Sequence, residues 1–125
     1  RQRQMCIRDR YLTDPLKFAT YIPFPTVAAD NPKFMPRGYW RGPIWLDQTY
    51  FAISGLRRYG YVEEADAYTR QVFDRLHGLK GDGAIHENYE TYTGKQLKAP
   101  HFSWSAAHLL MLYEEYNRRA SVAGL

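Results

Sequence analysis

Apolar residues between Val62 and Leu79 recur at intervals of three and four, at Val62, Ala65, Tyr68, Val72, Leu76 and Leu79. One face of an α-helix has that period, so the pattern predicts a helix over 62–79 with this face in a core. Glu63 and Glu64 fall in its first turn, where the helix dipole favours acids. A preceding helix is expected from near Pro43, a residue suited to a first turn, to about Tyr59, with Gly60 as its stop. Helical spacing puts Ile44, Asp47 and Phe51 roughly on one face, which turns Asp47 toward the interior. A third helix is predicted from Ser103, as N-cap, through Leu109 to Tyr113 and on to about Arg119. Apolar residues surround it for a full turn, so it is expected to be buried on most sides.

The intervening segments read as loops. From Tyr11 to Gly38, Pro23, Pro25, Pro32 and Pro36 favour extended chain, while Pro15 suits the start of a short helix capped by Asp14. Tyr21, Phe24 and Phe34 argue against a disordered linker, because such linkers are poor in aromatics. A long loop inside a compact protein commonly carries function. Gly81, Gly83 and Gly94 interrupt the next stretch, where Tyr89 to Lys98 forms either a short hairpin or an irregular loop. No self-repeat is visible, which counts against a helical solenoid.

The charge balance depends on the first ten residues, Arg-Gln-Arg-Gln-Met-Cys-Ile-Arg-Asp-Arg. They have no amphipathic period, and Met5 to Arg10 resembles a translated sequencing-library adapter. Residues 1–10 are therefore read as an artefact or a disordered extension. Without them the net charge falls from +4 to +1, with 13 basic against 12 acidic residues. The basis for a nucleic-acid role goes with them. Cys6, the single cysteine, lies in the same segment, leaving no disulfide or cysteine metal site and no indication of redox compartment. No apolar run is long enough for a transmembrane helix, so no membrane partner is expected.

The candidate chemistry lies in three blocks, Tyr39–Gln48, Ile85–Gly94 and Phe102–Ala107. Sugars present weakly apolar C–H faces and many hydroxyls, so their pockets combine flat aromatics with acids, amides and arginine. Trp40, Arg41, Trp45, Asp47 and Gln48 form such a set beside Tyr39, and Phe102 and Trp104 add two more rings. Core packing is the competing reading for Trp45 and Trp104. For Asp47 it is an acid stabilised by the helix N-terminus. Glycosidic hydrolysis needs two carboxyl groups flanking the bond. Glu87 is a candidate base, with His86, Asn88 and Tyr89 placed to orient its carboxylate and a water; the alternative is an ordinary loop glutamate. A zinc reading of His86-Glu87 fails because position 90 is Glu rather than the second histidine of a His-Glu-x-x-His motif. The four histidines show no ligand spacing and no calcium-type loop is present, so neither metal nor cofactor is expected.

From Gly38 to Tyr116 the chain closely resembles the C-terminal part of the catalytic domain of bacterial α-glucosidases of glycoside hydrolase family 63. The residues that carry the resemblance are Tyr39-Trp-Arg-Gly-Pro-Ile-Trp, Asp47-Gln48, Arg58-Tyr-Gly-Tyr61, Glu87-Asn-Tyr, Thr93-Gly94 and Phe102-Ser-Trp-Ser-Ala-Ala-His-Leu109. It implies an all-α fold, a partial (α/α)6 toroid of about three major helices with long loops. It also implies inverting hydrolysis of α-glucosidic bonds in oligosaccharides, with Glu87 as general base. The family's general acid is an Asp well upstream of the Trp-Arg-Gly-Pro block. Asp14 and Asp30 lie too close to that block to align with it. Thr91-Tyr92 departs from the family's usual turn.

A toroid needs twelve helices, so residues 11–125 are expected to be the C-terminal piece of a longer catalytic domain and inactive alone. The expected partners are an oligosaccharide substrate and the remainder of that domain. Secreted or periplasmic relatives suggest those compartments by analogy only. The alternative function is a noncatalytic helical module that binds carbohydrate or protein and tolerates loss of the carboxylates.

Overall fold

A computed structural model describes residues 8–122. The expectation for residues 1–10 falls largely outside this range. A single π-helical turn, Arg8–Leu12, opens the described chain. Leu12 packs, half-buried, against the core. Three α-helices follow, α1 at Leu46–Arg58, α2 at Val62–Arg75 and α3 at Ser103–Val122. Between α2 and α3 lies an antiparallel hairpin of β1, His86–Tyr89, and β2, Gln96–Pro100. This arrangement is that of a partial helical toroid, with one hairpin added to the all-α expectation. No helix among the described residues is long and apolar enough to cross a membrane.

The apolar period of α2 sets its packing. Ala65 and Val72 are fully buried, and Tyr68 and Phe73 are packed against the core from its margin. The helix ends at Arg75, four residues before the predicted end. Leu76 takes an extended backbone there but remains buried. The start of α1 is three residues later than Pro43 because Ile44 is held in a bridge to Tyr89, with amide-to-carbonyl bonds of 2.8 and 3.1 Å. Tyr59 and Gly60 close α1 as expected, and Gly60 adopts φ +90°. On α1, Asp47 faces inward, but Phe51 is 59% exposed and does not share that environment.

Two expectations require correction. The segment after Asp14 forms only a turn, although Asp14 does cap it by accepting the Leu16 amide at 2.9 Å. In α3, only Ser105, Leu109 and Leu112 are buried, whereas Leu110 is 58% and Tyr113 54% exposed. That helix has apolar residues on all sides, but the two other helices cover only one of them.

The proline-rich segment is ordered by what it buries. Ile22 and Phe24 enter the core, and the Ile22 amide donates to the Thr91 carbonyl at 3.0 Å. Burying such side chains contributes roughly 1.5–3 kcal/mol each. The hairpin docks equally closely on the end of α2. At Gly94, φ is +74° and a Cβ would lie 2.2 Å from the Arg75 carbonyl oxygen, so only glycine fits this approach.

Candidate active site

The hairpin, the start of α3 and the loop before α1 bring the three sequence blocks together. Glu87 lies on β1, and the β1–β2 register shifts between His86 and Asn88. The partners step from Pro100 to Leu97, which leaves an additional β2 residue opposite Glu87. Lys98 occupies this bulge with φ +61°. Bulges of this kind re-aim neighbouring side chains and are common next to active sites. Ser105, on α3, donates to the Glu87 main-chain carbonyl at 3.0 Å and fixes the strand from the other side.

The carboxylate is held from far away in sequence. The Tyr39 hydroxyl donates to Glu87 Oε1 at 2.5 Å, across 48 positions. Tyr39 has φ +58°, a conformation a residue with a side chain adopts only where its surroundings impose it. Trp45 contributes to that constraint by donating its indole N–H to the Tyr39 carbonyl at 2.8 Å. The hydrogen bond to Glu87 is the first cause that raises the Tyr39 pKa above its usual 10.0, with burial and the Glu87 charge adding to it. The phenol is therefore held protonated through neutral pH.

An aromatic wall adjoins this pair. Trp40 and Trp45 stack with centroids 3.9 Å apart and planes 8° from parallel. The Tyr39 ring meets Trp45 edge-on at 5.0 Å and Trp40 at 5.7 Å. Trp104 approaches Trp45 at 5.8 Å, and Phe102 stacks on Trp104 at 6.2 Å. Exposure divides the wall. Trp45 is 2% exposed and backs the others, while Trp40 and Trp104 are 48% and 44% exposed. A cavity of about 420 Å³ opens beside Phe102, lined also by Asp82, Ile85, His101 and Ser103.

The remaining candidates divide. Asp47 is buried in the first turn of α1, where Gln48 Nε2 donates to its Oδ2 at 3.2 Å, and its Oδ1 has no partner among the described residues. Gln48 is otherwise exposed, as is the Arg41 side chain. The neighbours expected to orient Glu87 do other work. His86 Nδ1 lies 3.2 Å from the Lys98 carbonyl, and the Tyr89 hydroxyl accepts the His86 amide at 3.0 Å. Asn88 is fully buried, with neither amide atom hydrogen-bonded among the described residues. Among the described residues the side-chain donor to Glu87 is Tyr39, a pairing that sequence spacing could not show. Ser105 and Lys98 were also missed, because a strand bulge and a helix-to-strand contact leave no local signal. The described residues hold no cluster of three or more potential metal ligands.

Comparison with known proteins places this arrangement in a family. The profile of the mannosylglycerate hydrolase MGH1-like glycoside hydrolase domain matches residues 2–105. Mannosylglycerate hydrolase of Rubrobacter radiotolerans is 43% identical over 72 residues, 58% of this chain and 15% of that protein. Glucosylglycerate hydrolase of Mycolicibacterium hassiacum is 35% identical over 88 residues, 69% of this chain and 18% of that protein. The crystal structure of a family 63 mannosylglycerate hydrolase from Thermus thermophilus, in complex with Tris and D-glycerate, superposes with a TM-score of 0.57. That match has 30% identity and covers 84% of this chain and 22% of the other. The chain thus spans about one sixth of the length of these curated relatives. These likenesses are narrower than the bacterial α-glucosidase type expected from the motifs. The chain belongs to the MGH1-like glycoside hydrolases of family 63.

Proposed function

We propose that this chain supplies the water-activating side of the active site of an inverting α-glycosidase. Glu87 is the general base. Its carboxylate takes a proton from water as the water oxygen bonds to the anomeric carbon. The bond from that carbon to the glycosidic oxygen breaks, and the leaving oxygen is protonated by a general acid on another part of the parent polypeptide. Trp40, Trp104 and Phe102 offer ring faces to the sugar, backed by Trp45. Asp47, Gln48 and Arg41 are the candidate polar contacts. The names of the relatives favour an α-glucoside or α-mannoside of glycerate over a longer oligosaccharide.

The observation that carries this reading is a carboxylate fixed by a neutral hydroxyl donor at the edge of a half-exposed tryptophan wall. In the full-length parent, Glu87→Gln is expected to lower turnover of a glycosylglycerate or α-glucoside by about 10²–10⁴-fold while sugar affinity stays near that of the unaltered enzyme. Undiminished turnover would exclude Glu87 as the base.

A further inference from the structure

Its place in an aromatic block makes Tyr39 a candidate sugar contact. Its geometry argues for another role. The hydroxyl is engaged with Glu87 Oε1 at 2.5 Å, close to the lower limit for a hydrogen bond from hydroxyl to carboxylate. The ring is packed edge-on against both Trp40 and Trp45, and Lys98 Nζ lies 5.7 Å from the ring centre on a further side. The backbone is held at φ +58° while its carbonyl accepts the Trp45 indole N–H. Backbone, ring and hydroxyl of Tyr39 are thus each engaged by the protein itself.

We propose that Tyr39 is a positioning residue for the Glu87 carboxylate, clamping Oε1 so that Oε2 is the oxygen that takes the proton from water. The proposal rests on the reading of Glu87 as general base. A glutamate has three side-chain rotors, and the Ser105 bond to the Glu87 carbonyl fixes only its main chain. The hydroxyl bond removes the remaining rotation at the reacting end. A neutral donor also does this without the ion-pair attraction that an arginine or lysine in its place would bring. The bulge at Lys98 completes the arrangement: it sits opposite Glu87 on the neighbouring strand and places the lysine ammonium against the Tyr39 ring rather than against the carboxylate. Trp45 acts at one further remove. It is buried behind Trp40 and holds the Tyr39 carbonyl, so its indole N–H connects the sugar platform to the clamp.

The test uses the full-length parent with Tyr39→Phe, Glu87→Gln and the double variant. Each is assayed for kcat and KM, and for affinity toward the free sugar product by calorimetry. Tyr39→Phe is expected to lower kcat by about ten- to hundred-fold with KM little changed, since the ring stays in place and only the donor is lost. In the Glu87→Gln background the same change is expected to have no further effect on the residual rate, because a residue that acts through Glu87 has nothing left to act on. A rise in KM with kcat retained would overturn the proposal in favour of a sugar contact, as would a loss of sugar affinity that persists in the Glu87→Gln background. A purely structural role would appear as an equal further loss of rate in both backgrounds, and would overturn it too. Undiminished turnover by Glu87→Gln itself would instead remove the reading of Glu87 as base, and the proposal with it.

Discussion

Asp66, between the helices, and Glu87, on the hairpin, are held in opposite ways. Asp66 on α2 meets Arg57 Nη1 of α1 at 2.7 Å and Arg119 Nε of α3 at 3.9 Å. Glu115 of α3 lies 3.8 Å from Arg57 Nε, at ion-pair but not hydrogen-bond distance, and accepts the Tyr50 hydroxyl at 2.8 Å. The network ties three helices together: both oxygens of Asp66 have a cation within ion-pair distance, whereas Glu115 takes its hydrogen bond from a neutral tyrosine hydroxyl. Burial, followed by the bond to Glu115, raises the Tyr50 pKa above 10.0, so that donor also remains protonated at neutral pH. Among the described residues Glu87 has only the Tyr39 hydroxyl as a side-chain partner, and no cation lies within ion-pair distance of it. A carboxylate that fixes a fold gains from cations on both oxygens. If Glu87 is the general base proposed above, a carboxylate that accepts a proton in each turnover is better served by a neutral clamp and a free oxygen.

The comparison predicts a separation of effects that measurement can break. Asp66→Asn leaves Arg57 without its closest partner in a part-buried setting. It is expected to cost roughly 2–3 kcal/mol of stability by denaturant midpoint, below the range for fully buried pairs because both side chains retain some exposure. Its turnover should stay within about threefold of that of the unaltered protein, since the pair lies between helices and away from the aromatic wall. Glu87→Gln should give the converse, a large loss of rate at a stability within about 0.5 kcal/mol. A Glu87→Gln protein destabilised as much as Asp66→Asn would place both carboxylates in the same structural role.

The helical side of this comparison was far more legible in the sequence than the hairpin side. The three- and four-residue period of Val62, Ala65 and Val72 reports a packed face directly, and Gly60 marked the end of α1. The residue blocks of the site were also visible, because tryptophans, an arginine and carboxylates near turn glycines are unusual together. Their connections were not. Tyr39 and Glu87 meet across 48 positions through two backbone irregularities, φ +58° at Tyr39 and the bulge at Lys98, and neither has a period to detect. The exposure of Leu110 and Tyr113 was missed for a different reason. Composition shows that a face is apolar, but the neighbouring helices determine whether it is covered.

Gly94 tests how rigidly the two regions are joined. It packs against the Arg75 carbonyl at the end of α2, and the His77 amide donates to the Gly94 carbonyl at 2.9 Å. Gly94→Ala forces the hairpin turn away from α2 and imposes a side chain at φ +74°. The expected cost is about 2 kcal/mol, with a fall in kcat because β1 carries Glu87. Loss of stability with kcat intact would mean that the hairpin moves as a unit with the aromatic wall, and that α2 does not set the position of Glu87.

The smallest effect concerns the proton on Tyr39. Its pKa is raised in the folded protein, so the interaction is fully present below the unfolded value near 10 and is lost as pH rises through the higher folded value. No weakening from loss of the phenol proton is therefore expected across neutral pH; that proton is lost above the range of an ordinary phenol. Because the bond to Glu87 is the leading cause of the shift, Glu87→Gln should bring the Tyr39 titration down toward that of an ordinary phenol. Ring-labelled tyrosine NMR, with the signal assigned by its absence in Tyr39→Phe, measures this directly. An unchanged titration midpoint in Glu87→Gln would mean that the hydroxyl does not donate to this carboxylate in solution, and the contrast between a neutral clamp and an ion-paired network would lose its main support.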